Sequence, residues 1–226
     1  MPRDDWETIT VEHDGPVATL TLCRADKKNA LSIAVRDEMS DALDRLSADE
    51  NVKVVIVTGA GDVFSAGFDL REFERLEDEA FMRALWASSD RWHRTIIEFP
   101  LPTIAAVNGP ALAGGFDLAV MCDLRVAADT ARFAHPEMTF GDVVYGPLHD
   151  LVGAAVARDL CFTGRAIGAA EAHRLHLVSK VVPQADVLTA ARELAAHVTR
   201  APREVLLRTK AKAIRRAGVA GATLDL

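Results

Sequence analysis

The chain has 226 residues, half of them hydrophobic, and its ordinary charged fraction of 26% excludes disorder and leaves material for one large core. Its formal charge of -7, from 26 basic and 33 acidic residues with no basic stripe interleaved with aromatics, argues against nucleic acid as a partner. No apolar signal core follows Met1-Pro2-Arg3, and no uncharged apolar window of about 18 residues exists, so no membrane association is expected.

Residues 7–13 and 17–23 read as strands with alternating faces, joined by a tight turn at Asp14-Gly15-Pro16. Ser32 is placed to cap a helix through Leu46, with Val35, Met39, Ala42, Leu43 and Leu46 on one face. The β-branched run Val52–Thr58 reads as a buried strand, ended by Gly59-Ala60-Gly61. A helix is expected over 79–98, a strand over 103–107, a helix from 114 and a short strand over 124–128. Further helices are expected at Leu148–Phe162, 169–175, 185–200 and 202–217, with a strand at Ser179–Val182. Strands alternating with helices make an α/β fold with right-handed crossovers. The nearly all-helical last third is expected to form a separate layer or an oligomer interface, and its basic run Arg208–Arg216 reads as a solvated helix face.

Asn108-Gly109-Pro110-Ala111-Leu112-Ala113-Gly114-Gly115-Phe116-Asp117 joins an expected strand to an expected helix. A glycine pair at that junction exposes backbone N–H groups at the positive end of the helix dipole, where an oxygen that turns negative can be held. One helical turn into the same element sits an acid, Asp117. A second glycine turn, Phe64-Ser65-Ala66-Gly67-Phe68-Asp69-Leu70, follows the strand Val52–Thr58 and offers the Phe68 N–H opposite that of Gly114. Glu137 lies between apolar residues after Pro136, a setting that tends to raise a carboxyl pKa and suits proton exchange. Ser65 reads as structural, because no local His or acid is placed to activate it. Gly59-Ala60-Gly61 fails as a dinucleotide fingerprint, since the third glycine would fall at Phe64. Phosphate-loop, zinc-protease and nucleophile-elbow motifs are absent, and no metal site is expected. The cysteines, Cys23, Cys122 and Cys161, form no Cys-x-x-Cys pair and fit a reducing cytosol, so a cytoplasmic location is expected.

With these residues goes a resemblance. Lys28-Asn29-Ala30-Leu31-Ser32, Phe64–Leu70, Pro102–Gly109, Ala113–Ala119, Cys122-Asp123, Phe133–Glu137, Thr163-Gly164-Arg165 and Ala172–Val178 together resemble the crotonase superfamily, the enoyl-CoA hydratases and isomerases. The resemblance implies a spiral core of ββα turns over residues 1–168 and a helical C-terminal region over 169–226 that serves trimerisation. It implies an acyl-CoA thioester substrate, with coenzyme A as part of the substrate and no separate cofactor. The N–H groups of Phe68 and Gly114 would hold the thioester oxygen as an enolate, and the family's two catalytic acids fall on Asp117 and Glu137. Asp26, Lys27, Lys28, Ala66, Gly67, Asp69 and Leu70 match places that contact CoA in relatives, and Pro136 and Tyr145 join them as substrate-binding positions. The implied assembly is a homotrimer or a dimer of trimers.

Three departures bear on function. Hydratases of the family carry glutamate where this chain has Asp117, one methylene shorter, and about 1 Å of misplacement can cost about 100-fold in rate. Dienoyl-CoA isomerases carry aspartate there but use a further acid where this chain has Tyr145, and simple enoyl isomerases work with the acid at Glu137 alone. The stretch Gly141–Gly153 replaces a longer glycine-rich loop that lines the acyl pocket, which brings Asp142, Tyr145 and His149 forward as acid, base or hydrogen-bonding groups, or plainly as pocket wall and helix start. Relatives also carry more helix after the position of Leu226. The expected reaction is hydration of a trans-2-enoyl-CoA, with double-bond isomerisation and a non-catalytic binding role as alternatives.

Overall fold

The structure, a computed structural model, describes residues 6–75 and 77–217. Residues 218–226 of the expected helical C-terminal region and the first five residues lie outside the described residues.

Strands β1 (Ile9–Asp14), β2 (Val17–Leu22), β3 (Val54–Gly59), β4 (Thr103–Val107), β6 (Leu124–Ala128) and β9 (Lys180–Val182) form one sheet in the order β1-β2-β3-β4-β6-β9. The β1–β2 hairpin is antiparallel, and every other pair in this sheet is parallel. β3 and β4 are buried along their whole length, which is why they read as unbroken apolar runs instead of alternating ones. Burying each of their Val and Ile side chains stabilises the fold by about 1.5–3 kcal/mol.

A second sheet of three short strands escapes the sequence reading. It consists of β5 (Ala111–Leu112), β7 (Arg132–Ala134) and β8 (Ile167–Gly168), in the order β5-β7-β8. Strands of two or three residues are too short to show a period of two, so only their pairing reveals them.

The expected helices are present. Helix α1 (Ile33–Ala48) starts at Ser32, whose hydroxyl accepts from the Val35 N–H, and it buries Val35, Met39, Ala42, Leu43 and Leu46. Helix α2 (Glu79–Ile97) is capped by Asp78 and packs against α1. Helix α3 (Gly114–Met121) is buried at every position. Helix α4 (Gly146–Thr163) differs from the expectation of one straight element. At Gly153 the backbone turns to φ 78 and ψ 164, a conformation open to glycine, and the helix breaks there.

After α5 (Ala169–Arg174), strand β9 pairs with β6, and helix α6 (Val187–Val198) packs across β3, β4 and β6. Helix α7 (Arg203–Ala217) is tied back by charged donors. Lys210 Nζ reaches both Asp123 carboxylate oxygens at 2.6 Å, and Arg203 donates to the carbonyls of Ser47 and Val52. The cysteines are free thiols, with Cys122 and Cys161 buried.

Candidate active site

The two glycine turns leave the carboxyl ends of β3 and β4, which are adjacent and parallel, so they emerge on the same edge of the sheet. Asn108 staples them: its Nδ2 donates to Gly61 O at 2.9 Å, and its Oδ1 accepts from the Gly59 N–H at 3.2 Å. Strand β5 then joins the turns. Leu112 N–H donates to Ser65 O at 2.9 Å, and Phe64 N–H donates to Pro110 O at 3.0 Å.

Ser65 is structural, as its sequence setting indicated. Its hydroxyl donates to Asn29 O at 2.9 Å and accepts from the Gly67 N–H at 3.2 Å. Gly67 has φ 90, and a Cβ there would stand 2.7 Å from Ala113 Cβ and 3.1 Å from Gly114 N. A Cβ on Gly114 would fall 2.8 Å from Phe68 Cδ1. The two donor-bearing segments therefore touch, and side chains on these glycines would push them apart. Neither the Phe68 N–H nor the Gly114 N–H meets an acceptor among the described residues. Gly114 is the first residue of α3, so its N–H has no intrahelical partner.

Ala113, the residue before α3, has φ 50 and ψ -130, a conformation costly for a side chain. Its N–H donates to Ala134 O at 2.9 Å, which extends the parallel pairing of β5 with β7. That pairing carries His135-Pro136-Glu137 alongside the first turn of α3 and brings the second acid to the first.

Asp117 is 7% exposed and His135 fully buried. His135 Nδ1 donates to Glu137 Oε1 at 2.9 Å and lies 3.7 Å from Asp117 Oδ1. Its ring stacks on Phe116 at 4.6 Å between centroids. Burial pushes the Asp117 carboxyl up to about 7, opposed by His135 and the Val144 N–H and reinforced by the charge of Glu137. Burial works against a charged His135, but its hydrogen bond to Glu137 and the charges of Asp117 and Glu137 outweigh it and raise its pKa. Burial also pushes the Cys161 thiol up to about 11, with Asp117 and Glu137 adding to the rise, so α4 closes the site on that side. A carboxyl that titrates near neutrality beside a second acid can exchange protons with a bound molecule. One carboxylate oxygen from each acid and a ring nitrogen of His135 lie within 4.8 Å of one another, a spacing that could hold a metal ion where the sequence leads to no expectation of one.

The remaining expected positions divide into two groups. Asp26, Lys27 and Lys28 form an exposed turn, tied to the first glycine turn because Ala66 N–H donates to Lys28 O at 3.0 Å. Asp69 is held by Arg24 at 3.0 Å, while Leu70 stands 67% exposed. Pro136 is exposed beside the acids. Tyr145 packs partly buried against the core, its ring 5.6 Å from that of His149, and His149 lies 3.3 Å from Asp150. Asp142 is exposed.

Three contributors were not singled out from sequence: Ala113, Val144 and His135. The signal for His135 was available as a histidine in an apolar run two residues before an acid.

The family profile for enoyl-CoA hydratase/isomerase matches residues 12–223. A probable enoyl-CoA hydratase of Mycobacterium bovis is 42% identical over 199 residues, covering 86% of this chain and 76% of the relative. The crystal structure of an enoyl-CoA hydratase from Bacillus anthracis superposes with a TM-score of 0.87 at 32% identity, over 95% of this chain and 85% of that one. A monofunctional enoyl CoA isomerase from M. smegmatis does so with a TM-score of 0.79 at 30% identity, over 94% of this chain and 95% of that one. Matching in sequence and in fold, the protein belongs to the enoyl-CoA hydratase/isomerase family of the crotonase superfamily.

Proposed function

We propose that the protein catalyses reversible addition of water to a trans-2-enoyl-CoA. The observation that carries this reading is the pair of acceptor-free N–H groups, Phe68 and Gly114, on touching segments one helical turn from Asp117. They form an oxyanion hole for the thioester oxygen and stabilise the enolate that develops as the double bond is polarised. Glu137 delivers or removes the proton at the α-carbon, and Asp117 orients the water. The turn Asp26–Lys28 and residues Ala66, Gly67, Asp69 and Leu70 take the CoA portion, with Pro136 and Tyr145 beside the acyl group. CoA enters as part of the substrate, and no separate cofactor takes part. We place the protein in the cytoplasm; no helix among the described residues is long and apolar enough to cross a membrane. The exposed rings of Phe140 and Phe162 support assembly into a homotrimer or a dimer of trimers.

A second reading, double-bond isomerisation by Glu137 alone or with Asp117, draws on the short, buried Asp117 and on the likeness to the M. smegmatis isomerase over 95% of that chain. Pure protein incubated with crotonyl-CoA separates the two. Loss of the conjugated enoyl absorbance is expected; no loss, with a 3-enoyl-CoA converted instead, would establish the isomerase. Absence of both activities would leave a binding protein.

A further inference from the structure

His135 is a buried titratable group of the site to which the proposed reaction assigns no step, and its surroundings are specific. One ring nitrogen, Nδ1, faces both acids, 2.9 Å from Glu137 Oε1 and 3.7 Å from Asp117 Oδ1. The other, Nε2, is buried without a hydrogen-bond partner among the described residues. Phe116 covers the ring at 4.6 Å and 32°. The titratable groups around it are Asp117 from α3, Glu137 from the turn Pro136–Thr139, and the Cys161 thiol of α4 close to both acids. A proton on this imidazole thus has Nδ1 as its exit, and that exit opens onto the two carboxyl groups.

We propose that His135 is a positioning residue that couples the two acids, holding Glu137 by its Nδ1–H and returning a proton from Asp117 to Glu137 after each turnover. The proposal rests on the hydratase reading for the direction of transfer. In hydration Glu137 gives its proton to the α-carbon, and Asp117, besides orienting the water, takes its proton, so the pair ends each cycle with its proton on the wrong acid. The imidazolium Nδ1–H then breaks as the Glu137 O–H forms, and the Asp117 O–H breaks as a new Nδ1–H forms. Protons and charge balance, and no other reactant is needed. Isomerisation by two acids requires the same return. The hydrogen bond to Glu137 and the charges of both acids raise the His135 pKa and keep the imidazolium available, while burial raises Asp117 to about 7.

The test is His135→Asn, whose amide nitrogen can stand near the Nδ1 position and donate to Glu137 without carrying a transferable proton. With crotonyl-CoA, kcat should fall about 10-fold or more with KM nearly unchanged, and the inflection expected near neutrality from Asp117 should move to higher pH, because the imidazolium that lowers its pKa is gone. A His135→Asn enzyme with wild-type kcat and pH profile would reduce His135 to a structural hydrogen bond and overturn the proposal. Nitrogen-15 NMR of the intact protein reads the coupling without turnover: the His135 titration should shift in both Asp117→Asn and Glu137→Gln. A titration unmoved by either substitution would also overturn it, even if His135→Asn failed to fold. Failure of the hydratase reading looks different, since crotonyl-CoA would then be inert in the wild type while the NMR shifts persisted.

Discussion

The two halves of the site are built by different physics. The donor half, Gly67-Phe68 against Ala113-Gly114, is set by backbone geometry and steric contact; its hydrogen bonds run between neutral groups, and nothing in it titrates. The acid half, Asp117, His135 and Glu137, is set by burial and charge. Three of its polar atoms, Asp117 Oδ1, His135 Nε2 and Glu137 Oε2, are buried without partners among the described residues. The first half should respond to added volume and hardly to pH; the second should respond to charge and strongly to pH.

The largest effect should come from removing the charge of the acid half. Glu137→Gln keeps the shape and is expected to lower kcat by about 10²–10⁴ with little change in KM for crotonyl-CoA. Activity that survived unchanged would remove Glu137 from the reaction. Next, Gly114→Ala attacks the donor half alone, placing a methyl 2.8 Å from Phe68 Cδ1. A loss of about 10²–10³ in kcat is expected, with a pH profile that keeps the wild-type inflections; displaced inflections would mean that the two halves are not separable.

Stability against pH gives a third, smaller contrast. Asp117 ionises near 3.8 when unfolded and near 7 when folded, so between these values the folded state binds more protons. Its contribution to stability therefore falls as pH rises from about 4 to 7. His135, also raised, works in the same direction: its contribution is full below its unfolded value and is lost as pH passes the folded one. Asp117→Asn should flatten the decline, gaining on the order of 3 kcal/mol on the wild type between pH 4 and 8 in urea unfolding. A parallel pair of curves would show that Asp117 ionises freely in the folded protein. The smallest effect belongs to the donor half, where Ala113→Gly relieves φ 50 and should stabilise by about 1 kcal/mol, read as a higher Tm.

The same contrast explains what could be read in advance. The acceptor-free N–H groups of Phe68 and Gly114 are legible because each follows a long buried strand and each sits in a glycine turn, and both signals are local. Asp117 was legible from its place one turn into α3. The place of His135 between the acids is not legible in this way, because Asp117 lies 18 residues before it and Glu137 two residues after it, and spacing alone does not show that they meet. The break at Gly153 was hidden inside an apolar run with good helical periodicity.

By itself the sequence determined the strands and helices that hold the core, the two glycine turns and the acid one helical turn beyond the second of them, because these depend on periodicity and on residues a few positions apart. Tertiary structure decided how the acids meet. β5 and β7 are too short to announce themselves, yet their pairing sets His135 and Glu137 against α3. It also decided which carboxyl burial pushes up to about 7, that of Asp117, since desolvation depends on what the folded chain packs around a group and not on which residues flank it.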